Sequence, residues 1–157
     1  MIVDASVLLS AFFPDEHQRL AQAIIREHIT GQIRLKAPDL LHYELCNAVW
    51  QAERRKRISS IQADEILQSM QGIGIEIVPL EWFEMFPFAR QTGCSAYDAA
   101  YVRAAQKLDE PLITADEKLF HAAQPHYPQI ILLDDYGKEK PTPPDKGVFN
   151  EDTVIGK

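Results

Sequence analysis

Four acids stand at positions where an acid is hard to explain by packing alone: Asp4, Glu44, Asp98 and Asp116. Asp4 interrupts the apolar opening Met1 to Leu9, and Asp116 follows the apolar run Leu112, Ile113, Thr114. Glu44 breaks into Leu40, Leu41 and Leu45, and Asp98 sits among Ala96, Ala99, Ala100 and Val102. Carboxylates on such surfaces are seldom buried without a partner. Two of them about 4 Å apart repel by about 4 kcal/mol at an effective dielectric of roughly 20. Four acids make several such pairs, so either some are protonated or a cation is present. No Lys or Arg beside them in sequence obviously neutralises the group. An all-oxygen donor set favours Mg²⁺ or Mn²⁺ over zinc or copper. One or two such ions suit in-line hydrolysis of a phosphodiester. Ser6 and Thr114, each two residues from an acid, are supporting residues whose hydroxyls are placed to orient carboxylates. Asn47, three residues after Glu44, shares its helix face.

Each acid taken alone has a plainer reading. Asp4 or Asp116 suits a helix N-cap, Glu44 a paired surface acid, and Asp98 a charge favouring a helix N-terminus. The plainer explanation has to hold four times over, which favours a joint site.

The elements that must position these acids alternate between strand and helix. Residues 1–9 read as a short buried strand carrying an acid. A helix starts at Pro14 and Asp15, with Leu20, Ala21, Ile24, Ile25 and Ile29 on one stripe and Gly31 as its stop. Residues 33–37 suit a short strand or connector. A second helix runs from about Pro38 to Arg57, and a third from Ser59, which has Gln62 at capping-box spacing, to Gly72 or Gly74. Ile75 to Leu80 read as a strand. Residues 81–93 are helix-like with a break at Pro87. Further elements are a helix over Ala96 to Leu108, a strand over Pro111 to Thr114, a short helix over 117–124 and a last strand over Ile130 to Leu133. This alternation implies an α/β fold: a three-layer α/β/α sandwich with a mainly parallel central sheet. In such sheets ligands bind at the strand carboxyl ends, the edge where Asp4 and Asp116 emerge.

The chain has 157 residues, 46% of them hydrophobic, enough for one sizeable core. We expect one domain over residues 1–136, followed by an extended or disordered tail over 137–157, where KEKPTPPDKG loses all periodicity. The formal charge of −7 argues against nucleic-acid binding by overall charge, so any such contact must be local. Cys46 and Cys94 lack paired spacing and are expected as small core residues. No signal peptide and no run of about 20 apolar residues is visible, giving the expectation of a soluble, cytoplasmic protein without membrane contact.

The segments MIVDASVLL, HYELCNAV, SAYDAAYVRAA and LITAD, in that order, resemble the motif set of the PIN-domain family, especially its VapC-like toxins. The resemblance covers about residues 1–134. It implies a Mg²⁺- or Mn²⁺-dependent endoribonuclease that cuts structured or transfer RNA. It places the family's catalytic and metal-binding acids on Asp4, Glu44, Asp98 and Asp116, with Ser6 and Thr114 at supporting polar positions. It further implies a homodimer and an antitoxin partner whose tail lies across the acidic groove.

Arg54, Arg55, Lys56 and Arg57 form the one basic cluster. They read either as a solvated helix end or as RNA-phosphate contacts beside the metal site. Trp82, Phe83, Met85, Phe86 and Phe88 are either core on several sides or a dimer or antitoxin surface. His42 and Tyr43, which precede Glu44, either touch substrate or, on the plainer and favoured reading, are packed or solvent-facing, and Asp134 and Asp135 read as turn residues. Two competing functions remain: a non-catalytic PIN-like binding or regulatory protein, and a phosphoryl-transfer or phosphoacceptor domain. The haloacid-type phosphatase arrangement needs a second acid where this chain has Ser6. A receiver-like domain would put its key acids on early strand ends, whereas Glu44 and Asp98 read as helical.

Overall fold

The first strand, β1, is only Ile2–Val3, because Asp4 already turns the chain into helix α1, Ala5–Phe12. The apolar run of residues 1–9, expected as one strand, is therefore a strand and a helix meeting at the acid. The strand is wholly buried and the helix largely so, with Ser6, Leu9 and Phe12 partly exposed along one side, and a continuous apolar run does not distinguish the two conformations. The computed structural model describes residues 1–16 and 18–138. The expected tail over 137–157 lies outside the described residues, save for Gly137 and Lys138.

The remaining elements follow in order: α2 Arg19–Ile29, β2 Lys36–Pro38, α3 Leu40–Arg54, α4 Ser60–Gly72 and β3 Glu76–Val78. A 3₁₀ turn at Trp82–Glu84 precedes α5 Phe86–Thr92, α6 Ala96–Leu108, β4 Leu112–Thr114, α7 Glu117–Ala123 and β5 Ile130–Leu132, and a second 3₁₀ turn spans Leu133–Asp135. The five strands form one sheet of order β3-β2-β1-β4-β5, and every pairing is parallel. Ile2 pairs with Lys36 on one side and Leu112 on the other, so β1 is the centre of the sheet. Ile2, Val3, Leu112 and Ile113 are wholly buried, as strands covered on both faces require.

Helices form the outer layers of the α/β/α sandwich. Helix α6 lies across β1, β2 and β4 with α5 packed against it, while α1 packs on β4 and is flanked by α2, α3 and α4. The small side chains Ala99, Ala100, Ala104 and Ala105 are buried and let α6 approach the sheet closely. Each large apolar side chain buried in this core, such as Leu8, Ile24 or Leu41, contributes roughly 1.5–3 kcal/mol.

Several boundaries differ from the sequence reading for local reasons. Helix α2 starts at Arg19, because Pro14–Glu16 form a turn in which the Glu16 carboxylate accepts from Ser10 and from Arg57. Pro38 ends β2, so α3 begins two residues later, at Leu40. Ser59 and Gln62 form the expected capping box at the start of α4. The chain breaks just before Pro87, which sits in the first turn of α5, where its missing N–H costs nothing. Cys46 is exposed, which corrects its expected core role: Leu41, Leu45, Val49 and Ala52 take the inward face of α3, leaving Cys46 outside. The aromatic stretch is core only at Phe88, with Met85 partly buried, while Trp82, Phe83 and Phe86 are exposed. Among the described residues no helix is long and apolar enough to cross a membrane.

Candidate active site

The sheet order reverses direction between β1 and β4: the chain leaves β1 toward β2 and β3, then crosses back to β4 and β5. The crevice outside such a switch point is where an open parallel sheet has room for a ligand. Asp4 emerges there from β1, and Asp116 just beyond the end of β4.

Two hydroxyls hold Asp4. Thr114 Oγ1 donates to Asp4 Oδ2 at 2.8 Å and accepts from the backbone N–H of Asp116 at 2.9 Å. Ser6 Oγ donates to the same Asp4 oxygen and accepts from the N–H of Ala115 at 2.9 Å. Each hydroxyl has one hydrogen, and both are spent on Asp4, so the 3.3 Å approach of Ser6 Oγ to Thr114 Oγ1 is a by-product of shared aim. The backbone N–H of Asp4 also donates to Ile113 O at 3.0 Å, which ties the acid to β4. Asp4 is 7% exposed and Thr114 fully buried.

The other three acids are each held through one oxygen as well. Asp116 caps α7, with Oδ1 accepting from the N–H groups of Lys118 at 2.7 Å and Leu119 at 3.1 Å. Its N-cap reading is thus correct for one oxygen and silent about the other. Asp98 forms a capping box with Ser95: its N–H donates to Ser95 Oγ at 3.0 Å, and its Oδ2 accepts from Ser95 N–H at 3.3 Å. Glu44, the fifth residue of α3, accepts at Oε2 from the Tyr101 hydroxyl of α6. Among the described residues no donor reaches Asp4 Oδ1, Glu44 Oε1, Asp98 Oδ1 or Asp116 Oδ2, and no ion pair involves any of the four acids.

The acids feel one another. Burial pushes the Asp4 carboxyl above its ordinary range, the hydrogen bonds from Ser6 and Thr114 pull it back, and the charges of Asp116 and Asp98 push it up further. Burial also raises Glu44 against the pull of the Tyr101 hydrogen bond, with Asp4 and Asp98 adding repulsion. Burial, with Asp4 and Glu44 nearby, raises the Tyr101 phenol, so it remains a donor. Yet among the described residues no three His, Cys, Asp or Glu side chains close on one point as a ready-made metal cluster. The two observations are compatible, because Coulomb repulsion acts across a pocket that coordination distances do not span. The donor set itself fits a hard divalent cation: four carboxylates, each with one oxygen anchored and one without a donor.

The supporting positions divide. Ser6 and Thr114 contact Asp4 directly, whereas Asn47 is exposed on α3 and borders a groove that also contains Ser6, Ala115 and Arg55. Of the basic cluster, Arg57 is committed: its guanidinium bonds Asp15 at 2.5 and 2.7 Å and Glu16 at 2.6 Å, and lies over the Phe13 ring. Arg54 lies over Trp50, and Arg54 and Arg55 are exposed. Sequence reasoning missed Tyr101 and Ser95. Both carried a signal: Ser95 stands three residues before Asp98 at capping-box spacing, and Tyr101 stands three after it, on the buried alanine face.

A parallel sheet of this order, with acids at its switch point, defines an α/β/α protein with an acidic crevice at the carboxyl ends of its central strands. The family model of the PIN domain matches residues 1–125, and the chain belongs to the PIN-domain family. It is similar to Ribonuclease VapC3 of Pyrobaculum aerophilum, 27% identical over 123 residues that cover 76% of this chain and 91% of that protein. It is also similar to Ribonuclease VapC9 of Mycobacterium tuberculosis, 29% identical over 132 residues, or 84% of this chain and 98% of that one. A crystal structure of a Pyrobaculum aerophilum protein shares the fold with a TM-score of 0.66 at 23% identity, covering 85% of this chain and 83% of that one.

Proposed function

We propose that this chain is a divalent-metal-dependent endoribonuclease that hydrolyses RNA phosphodiester bonds, and that it is the toxin of a toxin–antitoxin pair. One observation carries the reading: Asp4, Glu44, Asp98 and Asp116 each keep one oxygen without a protein donor while repelling one another around the sheet's switch point. The ribonuclease names of the relatives support RNA as the substrate. Residues 1–136 form the nuclease unit in this reading. Mg²⁺ or Mn²⁺ is the cation, the protein acts in the cytoplasm as a homodimer, and an antitoxin silences it.

Asp4, Asp98, Asp116 and Glu44 would hold the cation. Bound there, it would polarise the phosphodiester and lower the pKa of the attacking water. The chain's own part is orientation. Ser6 and Thr114 fix the plane of the Asp4 carboxylate, Tyr101 fixes Glu44, and the capping bonds fix Asp98 and Asp116. Carboxylates held in this way lose little freedom when they take a ligand or receive a proton from water.

Incubation of the purified protein with a panel of labelled RNAs, with Mn²⁺ or with EDTA, tests the reading. Cleavage that requires Mn²⁺ and disappears in Asp98→Asn supports it. RNA left intact by a folded protein at every Mn²⁺ concentration contradicts it. The second reading is a non-catalytic PIN-like binding or regulatory protein. Metal-dependent cleavage excludes that reading.

A further inference from the structure

Helix α3 carries Glu44 on its inner side and, one residue away, an outward stripe that the acidic site does not use. Tyr43, Asn47, Trp50 and Arg54 recur at spacings of four, three and four residues and so share one face. Tyr43 is 73% and Trp50 53% exposed, large fractions for aromatic rings. Trp50 is the wall between two hollows: one floored by Tyr43, Cys46 and Asn47, the other closed by Arg54 and Arg55. Asn47 and Arg55 also line a groove that reaches Ser6, which bonds Asp4, and Ala115, which precedes Asp116 in the chain. The Arg54 guanidinium lies over the Trp50 ring, 5.3 Å from its centre, which places positive charge against a half-exposed aromatic side chain in a chain of net charge −7.

Resting on the nuclease reading, the geometry points to this stripe as a stacking platform for unpaired bases of the RNA substrate: Tyr43 and Trp50 receive bases, and Arg54 and Arg55 receive the phosphates that flank them. Aromatic rings interleaved with cations recognise single-stranded nucleic acid, because every base offers a π-face and every link a phosphate. A duplex hides its base faces and gains nothing from such a surface. In a chain of net charge −7 the run Arg54 to Arg57 is the one cluster of consecutive cations, so affinity for RNA has to come from a local strip.

The test measures binding apart from turnover. The full-length chain is titrated in EDTA with a fluorescently labelled oligouridine and with a duplex of equal length, alongside Trp50→Ala, Tyr43→Ala and the conservative Tyr43→Phe. Cleavage by the same proteins is assayed separately in Mn²⁺. The platform predicts that unpaired RNA binds more tightly than duplex and that each alanine variant loses roughly five- to a hundredfold in affinity. It also predicts that Tyr43→Phe retains binding, that KM rises in the alanine variants with kcat near wild type, and that Mn²⁺ affinity is unchanged. Wild-type cleavage together with undiminished binding and KM in both alanine variants overturns the platform and leaves the nuclease reading standing. An alanine variant that keeps RNA affinity while changing its sedimentation overturns it too, and assigns the face to a second protein chain. A wild type that neither binds nor cleaves any RNA offered overturns the nuclease reading and the platform with it.

Discussion

Tyr101 of α6 donates its hydroxyl to Glu44 of α3, which locks together the two helices that carry acids into the pocket. Tyr101 is 1% exposed, so the bond cannot be exchanged for one to water. In Tyr101→Phe, Glu44 loses its anchor and its charge becomes harder to keep. We expect a loss of about 1 kcal/mol of stability on thermal unfolding, together with roughly tenfold lower kcat for RNA cleavage, a common scale for a misplaced catalytic group.

Thr114 is a single hydroxyl joining Asp4 to the Asp116 backbone. Thr114→Val keeps the shape but leaves the Asp116 N–H without its partner and Asp4 Oδ2 with Ser6 alone, at a cost of about 1–3 kcal/mol. Thr114→Ser restores both bonds. Denaturant unfolding of the pair separates the hydroxyl from the methyl group: the valine variant falls well below wild type, and the serine variant stays close to it.

Asp4 and Glu44 are held above the ordinary carboxyl range, first by burial and then by neighbouring acids. A raised carboxyl disfavours the folded state once it ionises, so this penalty is present at neutral pH and disappears as the pH falls. Asp4→Asn removes a buried charge and keeps an acceptor for Ser6 and Thr114. Its melting temperature at pH 7 should rise by about 2–4 °C, the response of a domain this size to about 1 kcal/mol, while cleavage is lost. Added Mn²⁺ should raise the melting temperature of the wild type and leave the variant unmoved.

Glu110 shows the opposite sign. Burial pushes its carboxyl up, but hydrogen bonds from Lys36 and the Met1 amino group, both at 2.5 Å, outweigh this and hold it below the ordinary 4.5. Its contribution is therefore complete above that value and is lost as the pH falls through the lower, folded-state value. Glu110→Gln should melt below the wild type at pH 7, and the gap should narrow steadily below pH 4.5.

The basic cluster should separate in its response to salt. Arg54→Glu or Arg55→Glu should weaken RNA binding and flatten the plot of log affinity against log salt by about 0.7 for each phosphate no longer neutralised. Arg57→Ala should leave the slope unchanged, because Asp15 and Glu16 already occupy that guanidinium.

The sheet was legible because strands buried on both faces leave uninterrupted apolar runs, as at Leu112–Thr114 and Ile130–Leu132. Helix α6 was legible to the residue, since its alanine-rich stripe is bounded by Ser95 and Asp109. Helix α1 was not, because Ala5 to Phe12 is nearly as apolar as the strand before it, and its partly exposed side, Ser6, Leu9 and Phe12, is itself mostly apolar and gives little periodic contrast. The same ambiguity hid the exposure of Trp82, Phe83 and Phe86: composition reports that side chains are apolar, and only packing decides which are covered. In the pocket, the acids stood out as exceptions within apolar runs. Tyr101 did not, because a buried tyrosine on an apolar face looks like any core aromatic until its hydroxyl finds a partner.

A calorimetric titration of Mn²⁺ into the purified protein, repeated on Asp98→Asn, tests the central claim without choosing an RNA. The amide oxygen that Asp98→Asn introduces can still accept from the Ser95 N–H, so the start of α6 is preserved while the negative charge is removed. Saturable binding by the wild type, lost in the variant, is the expected result. Equal binding by both proteins, or none by a folded wild type, would contradict the assignment of Asp4, Glu44, Asp98 and Asp116 as a cation site.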